Sequence, residues 1–300
     1  MKLVTWNTQW CCGLDGVVSP ERIVEGARAL ADFDVLCLQE IAVNYPRLPG
    51  NAGHDQPALL RALLPGYQLF FGAAVDEWTD GERRRFGNVI ATRLPVLQVQ
   101  HHPLPSPADG GVSSIPRMCT VVTVRDAALG PVRVMTTHLE FYSRKQRMAQ
   151  AQALRELHAQ ACAQAAAPPQ ASDDGTPFQA RTHTANAILC GDFNLEPHEA
   201  EYAAVTAPFA GGQLWDCWRL LNGAAPHQPT FRLYDRTYGP EPVACDFVFV
   251  SDGLKDKVRS LRIDGATQAS DHQPVAVELQ EASAETVAQD SGKATALTGA

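Results

Sequence analysis

The segment "ILCGDFN", Ile188 to Asn194, joins a short apolar run to a carboxylate, an aromatic ring and an amide. Its length and its apolar residues predict a buried β-strand. Side chains two residues apart on an extended strand point to the same side. Asp192 and Asn194 are therefore expected to leave the strand on one face, directed at a common target.

Short apolar runs of the same kind recur along the chain and predict a structure rich in strands. The runs are KLVTWN, DVLCLQE, YQLFFGAA, NVIAT, CTVVTVRD, VRVMTTHLE, AILCGDFN, CDFVFVS and QPVAVEL. Hairpin signals alternate with crossover signals, so the sheets are expected to be of mixed direction. Two packed sheets flanked by helices, an α/β (α+β) arrangement, fit this order.

Helices are predicted between the strands. Ser19 is a good N-cap before Pro20, and an apolar stripe at helical spacing follows them. A short helix is predicted over 57–66 and a long one over 143–167, where two prolines follow. Loops are expected at about 42–56, about 102–117 and 168–184.

The lack of an internal repeat and of a clear linker predicts one domain over residues 1–280, followed by a flexible tail over 281–300 without periodicity. The chain has 300 residues, of which 45% are apolar, and a formal net charge of −8. This charge argues against coating nucleic acid by bulk attraction, but it does not exclude a local basic groove. Eight cysteines without a C-x-x-C pair, and no signal-peptide or membrane-spanning run, predict a cytoplasmic monomer without membrane insertion.

Polar side chains stand at the boundaries of six predicted strands. Each of them alone has a simpler reading, as a turn former or as a hydrogen-bonded structural histidine. Eight such groups at six strand ends are harder to explain as independent turns, and strand ends are where a rigid scaffold presents reactive groups. The residues are Asn7, Glu40, His138, Asp192 with Asn194, Asp246, and Asp271 with His272.

Carboxylates that converge need a cation. Two of them about 4 Å apart repel by about 4 kcal/mol at an effective dielectric near 20. Oxygen ligands without a thiolate suit Mg²⁺ or Mn²⁺ rather than zinc. A hard cation beside imidazole and carboxylate bases, with no protein nucleophile among them, indicates attack of water on a phosphate ester.

The motifs TWN, LQE, THLE, GDFN, DFVFVS and SDHQPV, in this order, resemble the endonuclease/exonuclease/phosphatase superfamily. The resemblance runs from about residue 3 to about residue 279. It implies a four-layered α/β sandwich of the deoxyribonuclease I type, with two mixed sheets face to face and helices outside. It also implies that Glu40 is the main Mg²⁺ (or Mn²⁺) ligand, with Asn7 and Asp271 close by.

The same resemblance implies catalytic roles. Asp192 would orient or deprotonate the attacking water, and Asn194 would donate to a phosphoryl oxygen. Asp246 would hold the tautomer of His272, which would bind the scissile phosphate or assist proton transfer. His138 would act on the leaving-group side. Because THLE carries a histidine where apurinic endonucleases of the exonuclease III type usually have a tyrosine, a repair role is less favoured.

Two basic clusters are candidate phosphate contacts. SRKQR, with Arg144 and Arg147, lies at the start of the long helix, where a helix N-terminus and basic side chains can bind an anion. ERRRFGN, ending at Asn88, resembles the family's substrate-contacting loop. Either cluster can instead be a solvated surface run.

These features predict a metal-dependent phosphodiesterase. A nuclease is favoured over a lipid or small-molecule phosphodiesterase or phosphatase, so nucleic acid is among the candidate partners. A non-catalytic binding module on the same fold is the remaining alternative.

Overall fold

The structure, a computed structural model, describes residues 1–280 of the chain. The predicted tail at 281–300 lies outside the described residues. Within them the strands are β1 (Lys2–Asn7), β2 (Val35–Val43), β3 (Gln68–Thr79), β4 (Glu82–Thr92), β5 (Val96–Pro103), β6 (Met118–Asp126), β7 (Gly130–His138), β8 (Ala187–Asp192), β9 (Leu214–Asp216), β10 (Asp246–Ser251), β11 (Val258–Ile263) and β12 (Val275–Leu279). The α-helices are α1 (Pro20–Leu30), α2 (Gln56–Leu63), α3 (Arg144–Ala166), α4 (Ala200–Thr206) and α5 (Cys217–Asn222), and a 3₁₀ helix spans Asp252–Lys257.

The strands form two six-stranded sheets. The first has the order β11-β12-β1-β2-β4-β3 and the second β5-β6-β7-β8-β10-β9. Both are mixed, because β1–β2 and β7–β8 pair in parallel while the other neighbours are antiparallel. The predicted architecture, two packed mixed sheets flanked by helices, is confirmed.

Alternation along the strands divides the apolar residues among three cores. In β8, Ile188 and Cys190 point between the two sheets, whereas Leu189 points to the outer face covered by α3 and α4. In β1, Leu3 points between the sheets and Val4 faces the layer of α1 and α2. Period-two alternation therefore gives each sheet two buried faces.

The predicted helices are present, although α2 ends at Leu63 and not at 66 as predicted. Ser19 accepts a hydrogen bond from the Arg22 amide, with Pro20 at the first helical position. Ser143 caps α3 in the same way through the Gln146 amide. None of the helices within residues 1–280 is long and apolar enough to cross a bilayer. The cytoplasmic location and the monomeric state stay predictions.

One cluster differs from its expected conformation. The segment 82–88 is not a loop but the first half of β4, which pairs with β3 across the two-residue turn Asp80-Gly81. Both turn residues have positive φ, 56° and 81°, as a tight hairpin of two-residue type requires. The arginines of the segment are paired with neighbouring carboxylates, Arg83 with Asp76 and Arg84 with Asp80.

Candidate active site

A cleft opens at one edge of the sandwich. At this edge the inward-facing rows of side chains between the two sheets end in polar residues. Asn7 continues the inward-facing row that Leu3 begins in β1, and Asp192 continues the row of Cys190 in β8. His138 ends β7, which pairs with β8 so that His138 lies opposite Asp192. The same periodicity that fills the core therefore delivers polar groups to a common edge.

Asp192 is the centre of this group of side chains. Its Oδ2 accepts a hydrogen bond of 2.9 Å from Asn7 Nδ2, which also donates to Glu40 Oε1 at 3.1 Å. The Nε2 atoms of His138 and His272 lie 3.4 and 3.7 Å from the same Asp192 oxygen. Five of the predicted site residues, separated by as many as 265 positions in the chain, thus lie in one connected group of contacts.

Glu40 reaches the cleft by a different route from the one expected. β2 does not end there but continues to Val43, and its register with β4 shifts between Leu38 and Ile41. Glu40 has a φ of +60°, which marks a β-bulge. Alternation would turn Glu40 toward the helices on the side of Leu38. The bulge turns the carboxylate into the cleft instead.

His272 is held by a second carboxylate. Its Nδ1 lies 2.9 Å from Asp246 Oδ2, which also accepts a hydrogen bond of 2.7 Å from Thr230 Oγ1. Phe231 stacks on the imidazole, with ring centroids 4.2 Å apart. Burial opposes a charge on His272, but the carboxylates of Asp246 and Asp192 outweigh it and raise its pKa well above 6.5. This histidine is therefore an imidazolium at neutral pH.

His138 has the opposite electrostatic character. Burial, and then the positive charge of Arg117, lower the pKa of His138 to about 3. Its imidazole is therefore neutral at pH 7, with Nδ1 3.9 Å from Glu40 Oε1. Arg117, which forms a buried ion pair with Glu140, lines the cleft and had no role in the sequence prediction. Two histidines in contact with one carboxylate thus differ in charge, because their surroundings differ.

Two carboxylates in the cleft resist ionisation. Burial raises the pKa of Glu40 to about 7, and the negative charge of Asp271 adds to the rise. Burial also raises the pKa of Asp271. Both side chains line the cleft, which has a volume of about 160 Å³. A divalent cation would relieve both penalties, and carboxylate and amide oxygens are ligands that Mg²⁺ and Mn²⁺ accept. The donor set therefore fits the predicted metal.

A nearby sulfur does not belong to such a site. Ligand atoms of Asp192, Cys245 and His272 lie within 4.8 Å of one another. Burial raises the pKa of the Cys245 thiol well above 9, and its Sγ contacts Asp246 Oδ2 at 3.5 Å. A thiol that stays protonated is a poor metal ligand. Cys245 therefore packs as an apolar residue behind the histidine.

Asn194 lines the cleft, but not because it extends the strand. β8 ends at Asp192, and Asn194 has a φ of +51° in the left-handed region. Its backbone N–H donates to Asp192 Oδ1 at 2.9 Å, and its side-chain Nδ2 donates to the Leu139 carbonyl at 2.9 Å. The expectation that both side chains leave an extended strand together was wrong in its geometry. A tight turn brings them to the same cleft.

Asn88 is buried in the wall of the site rather than mobile on a loop. It stands in β4, is 3% exposed and donates from Nδ2 to the Met118 carbonyl at 3.1 Å. A small hollow that it lines also contacts Glu40 and His138. Asn88 therefore shares this hollow with two residues of the cleft but does not line the cleft itself.

Arg144 and Arg147 are not brought to the cleft. Arg144 pairs with Glu201 at 3.3 Å, and Arg147 donates to the carbonyls of Glu140 and Phe141. Neither arginine lines the cleft. Their charges are directed at neighbouring groups of the fold.

Comparison with known proteins agrees with this arrangement. A sequence model described as the Endonuclease/Exonuclease/phosphatase family matches residues 4–272. The solved structure of an endonuclease/exonuclease/phosphatase from Beutenbergia cavernae is 27% identical to the chain, with a TM-score of 0.65 over 93% of this chain and 71% of that one.

Two further solved structures share the fold at lower identity. A mannosyl-6-phosphatase from Bacteroides thetaiotaomicron is 20% identical, with a TM-score of 0.64 over 93% of this chain and 99% of its own. A 3' phosphatase, NExo, from Neisseria, bound to a product DNA hairpin, is 19% identical, with a TM-score of 0.57 over 93% and 99%. No curated protein matches the sequence.

Proposed function

Because the chain belongs to the endonuclease/exonuclease/phosphatase family, we propose that it hydrolyses phosphate esters by direct attack of water, with Mg²⁺ or Mn²⁺ as cofactor. The observation that carries this proposal is the contact of Asp192 with two histidines in different charge states. His138 is neutral and His272 is an imidazolium, and both have Nε2 within 3.7 Å of one Asp192 oxygen.

In this proposal the attacking water is held by Asp192. Its carboxylate accepts the water proton while Asn7 keeps the carboxylate oriented through its 2.9 Å hydrogen bond. His272 binds a phosphoryl oxygen as an imidazolium, and Asp246 fixes its orientation from behind. Asn194 uses one amide proton on the Leu139 carbonyl, so its second proton is free for the same phosphoryl group. His138 lies on the leaving-group side, where the N–H of its neutral imidazole can donate a hydrogen bond to the departing oxygen as the P–O bond to that oxygen breaks.

The cofactor would be held by Glu40 and Asp271, with Asn7 beside them. A divalent cation there supplies charge neutralisation and polarisation of the phosphoryl group. The raised pKa of Glu40 and of Asp271 supports this role, because the unfavourable negative charge of the two groups is what a bound cation offsets. The side chains that line the cleft position the ester at this edge of the two sheets.

Ion pairs around the cleft make a long nucleic-acid substrate less favoured than the sequence predicts. The arginines that favour a nuclease in the sequence are neutralised, Arg84 by Asp80 and Arg144 by Glu201. With a net charge of −8, this leaves no run of free cations along the cleft within residues 1–280 to follow a nucleic-acid backbone. We therefore propose a phosphate ester with a compact leaving group.

A nuclease is the second candidate, and a specific observation favours it. Trp10, Tyr142 and Tyr238 line the cleft beside the polar residues. Aromatic side chains of this kind can stack on unpaired bases. Short single-stranded ends would then be accepted more readily than duplex DNA.

The experiment is hydrolysis of p-nitrophenyl phosphate and bis-p-nitrophenyl phosphate, with Mg²⁺ or Mn²⁺ and with EDTA. Asp192→Asn should reduce the rate by roughly 100-fold or more, whereas Asp256→Asn, at an exposed position of the 3₁₀ helix, should not change it. Equal rates in EDTA would contradict the cofactor, and full activity of Asp192→Asn would contradict the mechanism. Hexose phosphates, inositol phosphates, sphingomyelin, RNA, single-stranded DNA and plasmid DNA then rank the substrate classes. A chain inactive on all of them would favour a binding module.

A further inference from the structure

A second cavity lies on the outer face of the second sheet, away from the catalytic cleft. Its volume is about 510 Å³, compared with about 160 Å³ for the cleft, and the two share no lining residue. β5, β6 and β7 form its floor, and the end of α3 and the segment 169–184 form its walls. Small-molecule sites have volumes of about 300–1,000 Å³. The cavity is therefore large enough for a metabolite rather than a single ion.

A buried cation without a counter-ion stands in the floor of this cavity. Arg133 is 7% exposed, and none of the carboxylates within residues 1–280 forms an ion pair with it. Among the described residues its Nη2 donates only to Met135 Sδ, at 3.4 Å, and its Nη1 has no hydrogen-bond partner. Burying a charge in this state is costly unless something pairs with it. An unpartnered buried guanidinium of this kind therefore calls for a ligand.

The strand pattern explains why this arginine faces the cavity. Val132 and Val134 point into the core between the sheets, so Arg133 between them points to the outer face. His138 ends the same strand on the inward face, at the catalytic cleft. β7 thus presents the two groups to opposite sides of one sheet, and Arg133 takes no part in the cluster around Asp192.

The residues that line the cavity are mostly polar. Within residues 1–280 no aspartate or glutamate is among them, whereas Arg181 and His183 are. Glutamine amides come from the floor, as at Gln100 of β5, and from Gln160 and Gln164, one turn apart on α3. Such amides can donate to and accept from hydroxyl or carbonyl groups of a ligand. The combination selects against cations and favours a polar anion.

We propose that this cavity binds a small anionic metabolite, whose phosphate or carboxylate group pairs with Arg133 and whose polar body contacts the glutamine amides. The anion is the counter-ion that Arg133 lacks among the described residues. A planar guanidinium binds either oxyanion in two-pronged fashion. The two sources of the anion, phosphate or carboxylate, are separated by the experiment.

Binding is measured by isothermal titration calorimetry of the full chain with inorganic phosphate and with citrate. The measurement is made after metal has been stripped with EDTA and the EDTA removed by dialysis, and in a His272→Gln background, so that the catalytic cleft contributes least. At least one anion should bind, and Arg133→Met should weaken it by about 10-fold or more, since a charge-assisted contact is lost. Arg125→Met, at an exposed position of the neighbouring strand β6 and outside the cavity, is the matched control and should bind as the background does.

A second variant keeps the result informative if Arg133→Met fails to fold. Gln160→Glu changes an exposed position of α3 and places a negative charge at the cavity wall, so it should also weaken the anion. A preference for phosphate or for citrate identifies the chemical class of the ligand. The proposal is overturned if neither anion binds, or if the Arg133 and Gln160 variants that fold bind as tightly as the Arg125 control.

Discussion

Replacing Glu40 by glutamine should stabilise the metal-free protein above neutral pH while abolishing hydrolysis. The substitution keeps the side-chain shape, and the glutamine oxygen can still accept the 3.1 Å hydrogen bond from Asn7 Nδ2. What it removes is a negative charge that faces Asp271 and Asp192 in a largely buried position. The Glu40 side chain is only 19% exposed, so water screens this repulsion weakly.

The size of the effect follows from the pKa. Burial and the charge of Asp271 raise the pKa of Glu40 from 4.5 to about 7 in the folded chain. The folded state therefore binds this proton more tightly than the unfolded state, and stability is lost as the pH rises from about 4.5 through about 7. At 1.36 kcal/mol per pH unit the loss is about 3 kcal/mol above that range. For a chain of this size it corresponds to roughly 5–10 °C in melting temperature.

The assay is thermal unfolding in EDTA at pH 8.5 and at pH 4.5. Glu40→Gln should melt above the wild type at pH 8.5, and the difference should almost vanish at pH 4.5, where Glu40 is protonated in the folded chain. Glu25→Gln, at an exposed position of α1, should show neither change. Added Mg²⁺ should raise the melting temperature of the wild type more than that of Glu40→Gln. A Glu40→Gln variant that melts at or below the wild type at pH 8.5 would refute the electrostatic reasoning.

Three further substitutions test the site and its surroundings. Asp246→Asn removes a charge that raises the pKa of His272, so the alkaline limb of the pH–rate profile should move to lower pH and the rate should fall roughly 10- to 100-fold; an unmoved limb would exclude His272 as the imidazolium. Gly191→Ala should cost about 3 kcal/mol or more in denaturant unfolding, because φ is +135° and a Cβ would stand 2.0 Å from the Thr137 carbonyl oxygen; near-normal stability would show that β7 and β8 can move apart at this point. Arg144→Met should leave kcat/KM within about twofold of the wild-type value, since Arg144 is held in a surface ion pair; a large rise in KM would show that Arg144 contacts the substrate.

The central strands and the helices could be predicted from the sequence because their burial leaves a clear apolar pattern. The strands that the sequence prediction omits, β5, β9 and β11, are all edge strands of the two sheets. Val258–Ile263 mixes arginines and serine with its apolar residues, and β9 has only three residues. An edge strand is bonded on one side only and meets solvent, so its residues need not form an apolar run.

The grouping of the site residues could also be predicted, but the backbone that brings them together could not. Strand ends identify Asn7, His138 and Asp192 through simple alternation. The bulge at Glu40 leaves no signal in the sequence, because a non-glycine residue with positive φ is disfavoured wherever it occurs. One signal was overlooked, since the Asp80-Gly81 dipeptide marks the β3–β4 hairpin and thereby the partners of its arginines.

Backbone strain and unfavourable negative charge are both concentrated in the cleft. Of the eight non-glycine residues with positive φ in the described chain, four line the cleft, namely Gln9, Trp10, Glu40 and Asn194. Each such residue costs roughly 1–2 kcal/mol, and the ionised Glu40 adds a comparable penalty. The surrounding sheets hold these residues in place, since regular strands alone would direct Glu40 toward α1 and α2. Substitutions that relieve strain or charge repulsion in the cleft are therefore expected to raise stability and to abolish hydrolysis together. Glu40→Gln tests this expectation for the charge alone, because it replaces a single side-chain oxygen.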